Sequence, residues 1–162
     1  RDVRSGTLDT PAIVGFATAL EITTANKTET VIRVAALRDD LVKRVKEISP
    51  DAIYSGAITN RLVNNAHFVF PGCLGDSLLM LLDAQGVECS VGSACNAGVP
   101  QPSHVMLAMG ADEDQARSTL RFSLGWNSTQ ADVDALITAL PSAIERAKRA
   151  GVPKVTNAPV RV

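Results

Sequence analysis

An excess of charge of either sign is missing from this chain of 162 residues: 16 Lys and Arg stand against 17 Asp and Glu, a formal charge of −1. That balance argues against a nucleic acid or an anionic membrane held by bulk electrostatics. Long apolar runs are missing too, so no segment is expected to cross a bilayer, and no signal-peptide pattern is present. Cysteine is scarce. Cys73, Cys89 and Cys95 make an odd count at spacings unlike a zinc or iron–sulfur site, so no metal is expected. Reduced thiols place the chain in the cytoplasm. The chain has two histidines, His67 and His104, and no Ser/His/Asp set or metal spacing accompanies them. There is no internal repeat. The chain opens Arg1-Asp2-Val3-Arg4 rather than with Met, from which a fragment or processed piece is expected.

What remains is an ordinary globular composition, 46% apolar and 20% charged, long enough for one domain with a real core. Thr10-Pro11 reads as a helix start, and the Ala-, Ile- and Leu-rich helix should reach about Asn26. A second helix is predicted from about Glu29 to Ile48, with Val31, Val34, Leu41, Val45 and Ile48 on one face and Pro50 after it. Strands are predicted at 53–55, 66–70, 87–90 and 120–124. Helices are predicted at 75–85, closed by Gly86, and at 102–109, stopped by Gly110. Thr129 and Asp132 form a capping-box-like pair before a last helix carrying Val133, Leu136, Ile137, Leu140 and Ile144. Pro141 should kink it. Residues 152–162 have no period and read as a loose tail. Strands and helices mix without strict βαβ alternation, so the expected class is α+β.

Three segments bear on chemistry. Cys95 sits in Gly92-Ser93-Ala94-Cys95, a loop of small residues that leaves a thiol sterically open and suits a nucleophilic thiolate. From composition alone an inert surface thiol is the better reading, and Cys73 and Cys89 read as packing residues. In Leu120-Arg121-Phe122-Ser123-Leu124 the alternation puts Arg121 opposite the apolar face, where its planar fork suits a carboxylate or simply faces water. Arg4-Ser5-Gly6-Thr7 offers backbone amides and a hydroxyl that can hold a phosphate oxygen, or else frays. His67 and His104 are candidates for acid–base work, but with no partner set they read as structural. Asp39-Asp40 and Glu113-Asp114 read as solvated helix surface.

These segments occur in the same order in one family. The chain resembles the C-terminal part of a cysteine desulfurase of the NifS/IscS type, within the class-V aminotransferases. The matching stretches are Arg4-Ser5-Gly6-Thr7 followed by Ala12-Ile13-Val14-Gly15, Gly92-Ser93-Ala94-Cys95, Pro102-Ser103-His104-Val105, Leu107-Ala108-Met109-Gly110 and Leu120-Arg121-Phe122-Ser123-Leu124-Gly125. Val91 stands where a second serine is common, and Asn96 where Ser or Thr is usual. The resemblance reverses the reading of Cys95 and Arg121.

It implies the small C-terminal domain of a fold-type I enzyme of pyridoxal 5'-phosphate (PLP), with helices on one side of a short sheet. Residues 1–27 would end the large domain and form a connecting helix, 28–150 would be the small domain, and 151–162 the tail. It implies removal of sulfur from L-cysteine to give L-alanine and a persulfide on Cys95. Arg121 would grip the substrate carboxylate, and Thr7 would bind the cofactor phosphate across a homodimer interface. The sulfur would pass to an iron–sulfur scaffold or another acceptor protein. The cofactor's Schiff-base lysine would lie in an N-terminal part outside this chain, so that the chain alone is expected to be inactive. Two rival readings are a non-catalytic module that binds scaffold proteins, and a related lyase acting on selenocysteine or cystine.

Overall fold

The structure is a computed structural model and describes residues 6–92 and 101–151. Contacts divide the chain into two compact units, 1–33 and 34–162. In the first, α1 (Thr10–Ala25) begins where the Asp9 carboxylate accepts a hydrogen bond from the Ala12 amide, with Pro11 in the first turn. Every residue of α1 is exposed, including Ile13, Val14, Phe16, Leu20 and Ile22. Helix α2 (Lys27–Ile48) starts two residues earlier than the sequence pattern predicts.

The second unit is built on three antiparallel strands in the order β1 (Ile53–Tyr54), β2 (Asn65–Val69), β3 (Thr119–Ser123). Pairing sets Phe68 opposite both Tyr54 and Leu120, and Ala66 opposite Phe122. Alternation then sends Ala66, Phe68, Leu120 and Phe122 to one face, where all four are buried. Against that face pack Val34, Leu37, Leu41 and Val45 of α2, Leu78 and Leu82 of α3 (Gly75–Asp83), and Val133, Leu136, Leu140, Ala143 and Ile144 of α6 (Gln130–Ala150). Leu37 belongs to this face although the sequence pattern omits it, and Val31 is exposed. The aromatic centre is Phe68, with ring centroids 5.2 Å from Tyr54, 5.8 Å from Phe70 and 6.3 Å from Phe122. Helix α3 approaches β3 so closely that a Cβ on Gly75 would lie 2.5 Å from the Thr119 carbonyl oxygen, which explains glycine at the first residue of that helix.

Among the described residues the opposite face is covered at one end. There Val69 packs with Met106 of α4 (His104–Ala108) and Ala116 of α5 (Glu113–Arg117). Within this unit α3, α6 and the part of α2 from Val34 onward therefore lie on one side of the sheet, as the α+β expectation has it, and the short α4 and α5 cap part of the other.

Several local expectations are revised. Helix α4 starts at His104 rather than Pro102, because Ser103 caps it: the Ser103 Oγ accepts from the Met106 amide at 3.4 Å. Helix α5, not delimited from sequence, has its own capping box between Asp112 and Gln115. The predicted strand at 87–90 is a single bridge, Ser90 to Arg121. The chain there is still closing α3: Gly86 takes φ +77°, and the Val87 amide bonds back to Leu82 O at 3.0 Å. The last helix begins as expected, with the Asp132 carboxylate accepting from the Thr129 amide at 2.7 Å, and it runs through Pro141 to Ala150.

Candidate active site

The rest of that second sheet face forms the floor of a cleft of about 390 Å³. His67 and Arg121 are direct cross-strand partners in the β2–β3 register and stand side by side on that floor. Ser55 continues the row, its amide bonding His67 O at 2.8 Å. The residue after it is Gly56, at φ +88°. On the far side of β3 the backbone of Arg121 exchanges both hydrogen bonds with Ser90, at 2.7 and 3.0 Å. Arg121 is thus held by strand contacts on both sides, while its side chain is exposed. Among the described residues its guanidinium has no carboxylate partner.

One wall is the loop 55–65. It is pinned by Arg61, whose guanidinium donates to the carbonyls of Ser55 (3.3 Å), Ala57 (3.1 Å) and Asn65 (3.1 Å) and lies 4.1 Å from the centroid of the Tyr54 ring. Arg38 of α2 donates to Leu62 O at 3.3 Å. Asn60 turns the loop with φ +55°, a left-handed conformation that asparagine tolerates. The other wall is Ser103, Val105, Met106 and Met109, and Gly92 also lines the cleft. A Cβ on Gly92 would lie 2.8 Å from that of Ser103 and 2.9 Å from Thr119 Oγ1, so only glycine fits the approach.

The polar groups here are poorly satisfied by the protein. Tyr54 OH, Ser55 Oγ, Arg61 Nε, Asn65 Oδ1 and His67 Nδ1 are buried without a hydrogen-bond partner among the described residues. Natural proteins seldom leave such groups unpaired, and a cluster of them marks a place where water or a ligand completes the set. Burial, and then the charges of Arg121 and Arg61, lower the His67 pKa and keep the ring neutral.

A histidine with a lowered folded pKa is silent above its unfolded value near 6.5. Below that value the unfolded chain takes up the proton first, so the folded state loses stability until its own lower pKa is passed. Wild type should therefore lose up to about 1.4 kcal/mol per pH unit more than His67→Phe on acidification below pH 6.5, read from urea midpoints. Parallel pH profiles of the two proteins would refute the shift.

Of the residues singled out from sequence, Arg121 lies in the cleft. Thr7 is exposed in the first unit, directly after Gly6 at φ +104°. Cys95 lies outside the described residues. Cys73 is fully buried and Cys89 half-buried; burial raises both thiol pKa values, that of Cys89 to about 11, which suits packing rather than nucleophilic roles. His104 is exposed on α4. Sequence reasoning missed His67, Arg61 and Ser55 as cleft residues. Their only early signal is the alternation that puts His67 on the solvent side of β2, and nothing short of the β2–β3 register pairs it with Arg121. Among the described residues no cluster could hold a metal ion, and no helix is long and apolar enough to cross a membrane.

Residues 1–136 match the Aminotransferase class-V family. The chain is 54% identical over 153 residues to an IscS-like cysteine desulfurase of Mycobacterium tuberculosis, covering 94% of this chain and 39% of that protein. It is 40% identical over 146 residues to a cysteine desulfurase, IscS 1, of Archaeoglobus fulgidus, covering 90% of this chain and 38% of that one. The fold superposes on the crystal structure of a NifS-like protein from Rickettsia africae with a TM-score of 0.78 at 30% identity, over 88% of this chain and 37% of that one. The chain therefore spans about two fifths of the length of the curated relatives it matches.

Proposed function

The chain belongs to the class-V aminotransferase family, and from that premise we propose that it is part of a cysteine desulfurase which takes sulfur from L-cysteine and leaves L-alanine. The observation that carries this reading is Arg121: fixed by two strand contacts at the floor of a cleft, it is a cation with neither a carboxylate partner nor an acidic lining neighbour among the described residues. Such a fork is built for an amino-acid carboxylate.

The family's cofactor is PLP, which when bound withdraws electrons from the substrate's α-carbon. The cleft fits the substrate end of such a site. Among the described residues no lysine lines it to offer an amine for the cofactor's aldehyde. The Schiff-base lysine is assigned instead to a part of the enzyme outside this chain, and Thr7 to the cofactor phosphate in the partner subunit's site of a homodimer. Residues 28–150 are assigned to the small domain and 1–27 to the end of the large one.

In this reading Arg121 binds and orients the substrate. The Cys95 thiolate attacks the substrate sulfur; the S–S bond of a persulfide forms as the substrate's C–S bond breaks, the carbon keeping that electron pair and taking up a proton to become the methyl group of L-alanine. Cys95 follows three residues after Gly92, which lines the cleft, and that short reach supports its assignment. The persulfide sulfur then passes to an iron–sulfur scaffold or another acceptor protein in the cytoplasm.

Intact mass of the full-length protein, before and after incubation with PLP and L-cysteine, tests the proposal. The expected result is a gain of one sulfur atom that maps to Cys95 and is removed by a reductant, with L-alanine released. No gain in a preparation that contains the lysine-bearing part would sink the role of Cys95.

A further inference from the structure

Arg121 does not stand alone on the cleft floor. His67 is its direct partner in the antiparallel register, which places their Cβ atoms about 5 Å apart on one face. Both line the cleft. The Nδ1 of His67 is buried and unpartnered, so Nε2 is the ring nitrogen that the cleft can reach. The other nearby cation is committed: the terminal nitrogens of Arg61 already serve three backbone carbonyls. An anion drawn to Arg121 thus meets an uncommitted imidazole beside it and, among the described residues, no competing carboxylate.

We infer that His67 is a substrate-binding residue, its Nε2–H donating a hydrogen bond to the same carboxylate that Arg121 holds. The inference rests on the desulfurase reading above. The neutral ring has one N–H to place. With the proton on Nε2, the buried Nδ1 keeps a bare lone pair, which burial tolerates better than an orphaned N–H. The ring donates without adding a third positive charge beside Arg121 and Arg61, so the free cleft is not strained by repulsion. The carboxylate then receives the fork of Arg121 from one side and a single neutral donor from the other. That arrangement favours ligands with a carboxylate over those lacking one.

The test uses the full-length, PLP-loaded enzyme and two inhibitors that differ only by the carboxylate, L-alanine and ethylamine. In His67→Phe the KM for L-cysteine and the inhibition constant of L-alanine should both rise about tenfold, the size of one hydrogen bond to a charged group. The inhibition constant of ethylamine should stay put. His67→Gln, which places an amide nitrogen near the position of Nε2, should recover most of the loss, and His67→Asn, whose amide is shorter, should not. This second pair carries the test if the phenylalanine variant does not fold. Unchanged L-alanine binding in His67→Phe, or equal weakening of ethylamine, would overturn the inference. A wild-type enzyme that makes no L-alanine from L-cysteine would instead fail the desulfurase reading itself, and the inference with it.

Discussion

Replacing Arg121 by alanine is expected to raise the KM for L-cysteine about a hundredfold in the full-length enzyme. The size is that of a bidentate, charge-assisted contact with a carboxylate in a partly enclosed site. The fold should survive the change. Arg121 belongs to its sheet through backbone bonds to Ser90 and pairing with β2, and its side chain is exposed. A loss of activity with an unmoved urea midpoint therefore reports on binding. Arg121→Lys keeps the charge and loses the fork, so it should fall between the two. A KM within threefold of wild type for the alanine variant would remove the observation on which the functional proposal stands.

The largest effect on stability is expected at Phe68. Its side chain is fully buried, and its ring meets those of Tyr54, Phe70 and Phe122. Truncation to alanine removes the central contact of the sheet's core face and leaves a cavity that three aromatic neighbours cannot all collapse into. A cost of about 4 kcal/mol follows, a large share of the stability of an ordinary domain. Urea unfolding should show a lower midpoint with an unchanged slope. Phe68 also sits next to His67 on β2, one residue facing the core and the other the cleft. The variant should then lose activity at temperatures where wild type is intact. A midpoint that moves by less than about 1 kcal/mol would mean that the core closes around the gap.

How much of this was legible in the chain depends on how local each signal is. Alternation along 120–124 placed Leu120, Phe122 and Leu124 inside and Arg121 outside, and burial agrees at all four positions. The Thr129/Asp132 cap was readable because both partners lie within one turn. The strand expected at 87–90 was not formed because an apolar run cannot say whether the chain has finished leaving its helix; Gly86 and the Val87 amide show that it has not. His67 read as structural for the opposite reason. A lone histidine has no sequence partner, and its neighbour in space is 54 residues away (121 − 67). Arg61 was invisible for another cause: its partners lie within six residues, but they are backbone carbonyls, which no side-chain pattern marks.

That pinned loop has a consequence for kinetics. Closing a flexible wall around a ligand costs ordering entropy at the moment of binding and slows association when the wall must move first. Here one arginine threads three carbonyls and stacks on Tyr54, so the wall takes its shape when the chain folds. Ligand capture at this wall is then governed by encounter with the cleft and its cation, with no rearrangement of residues 55–65 setting the pace.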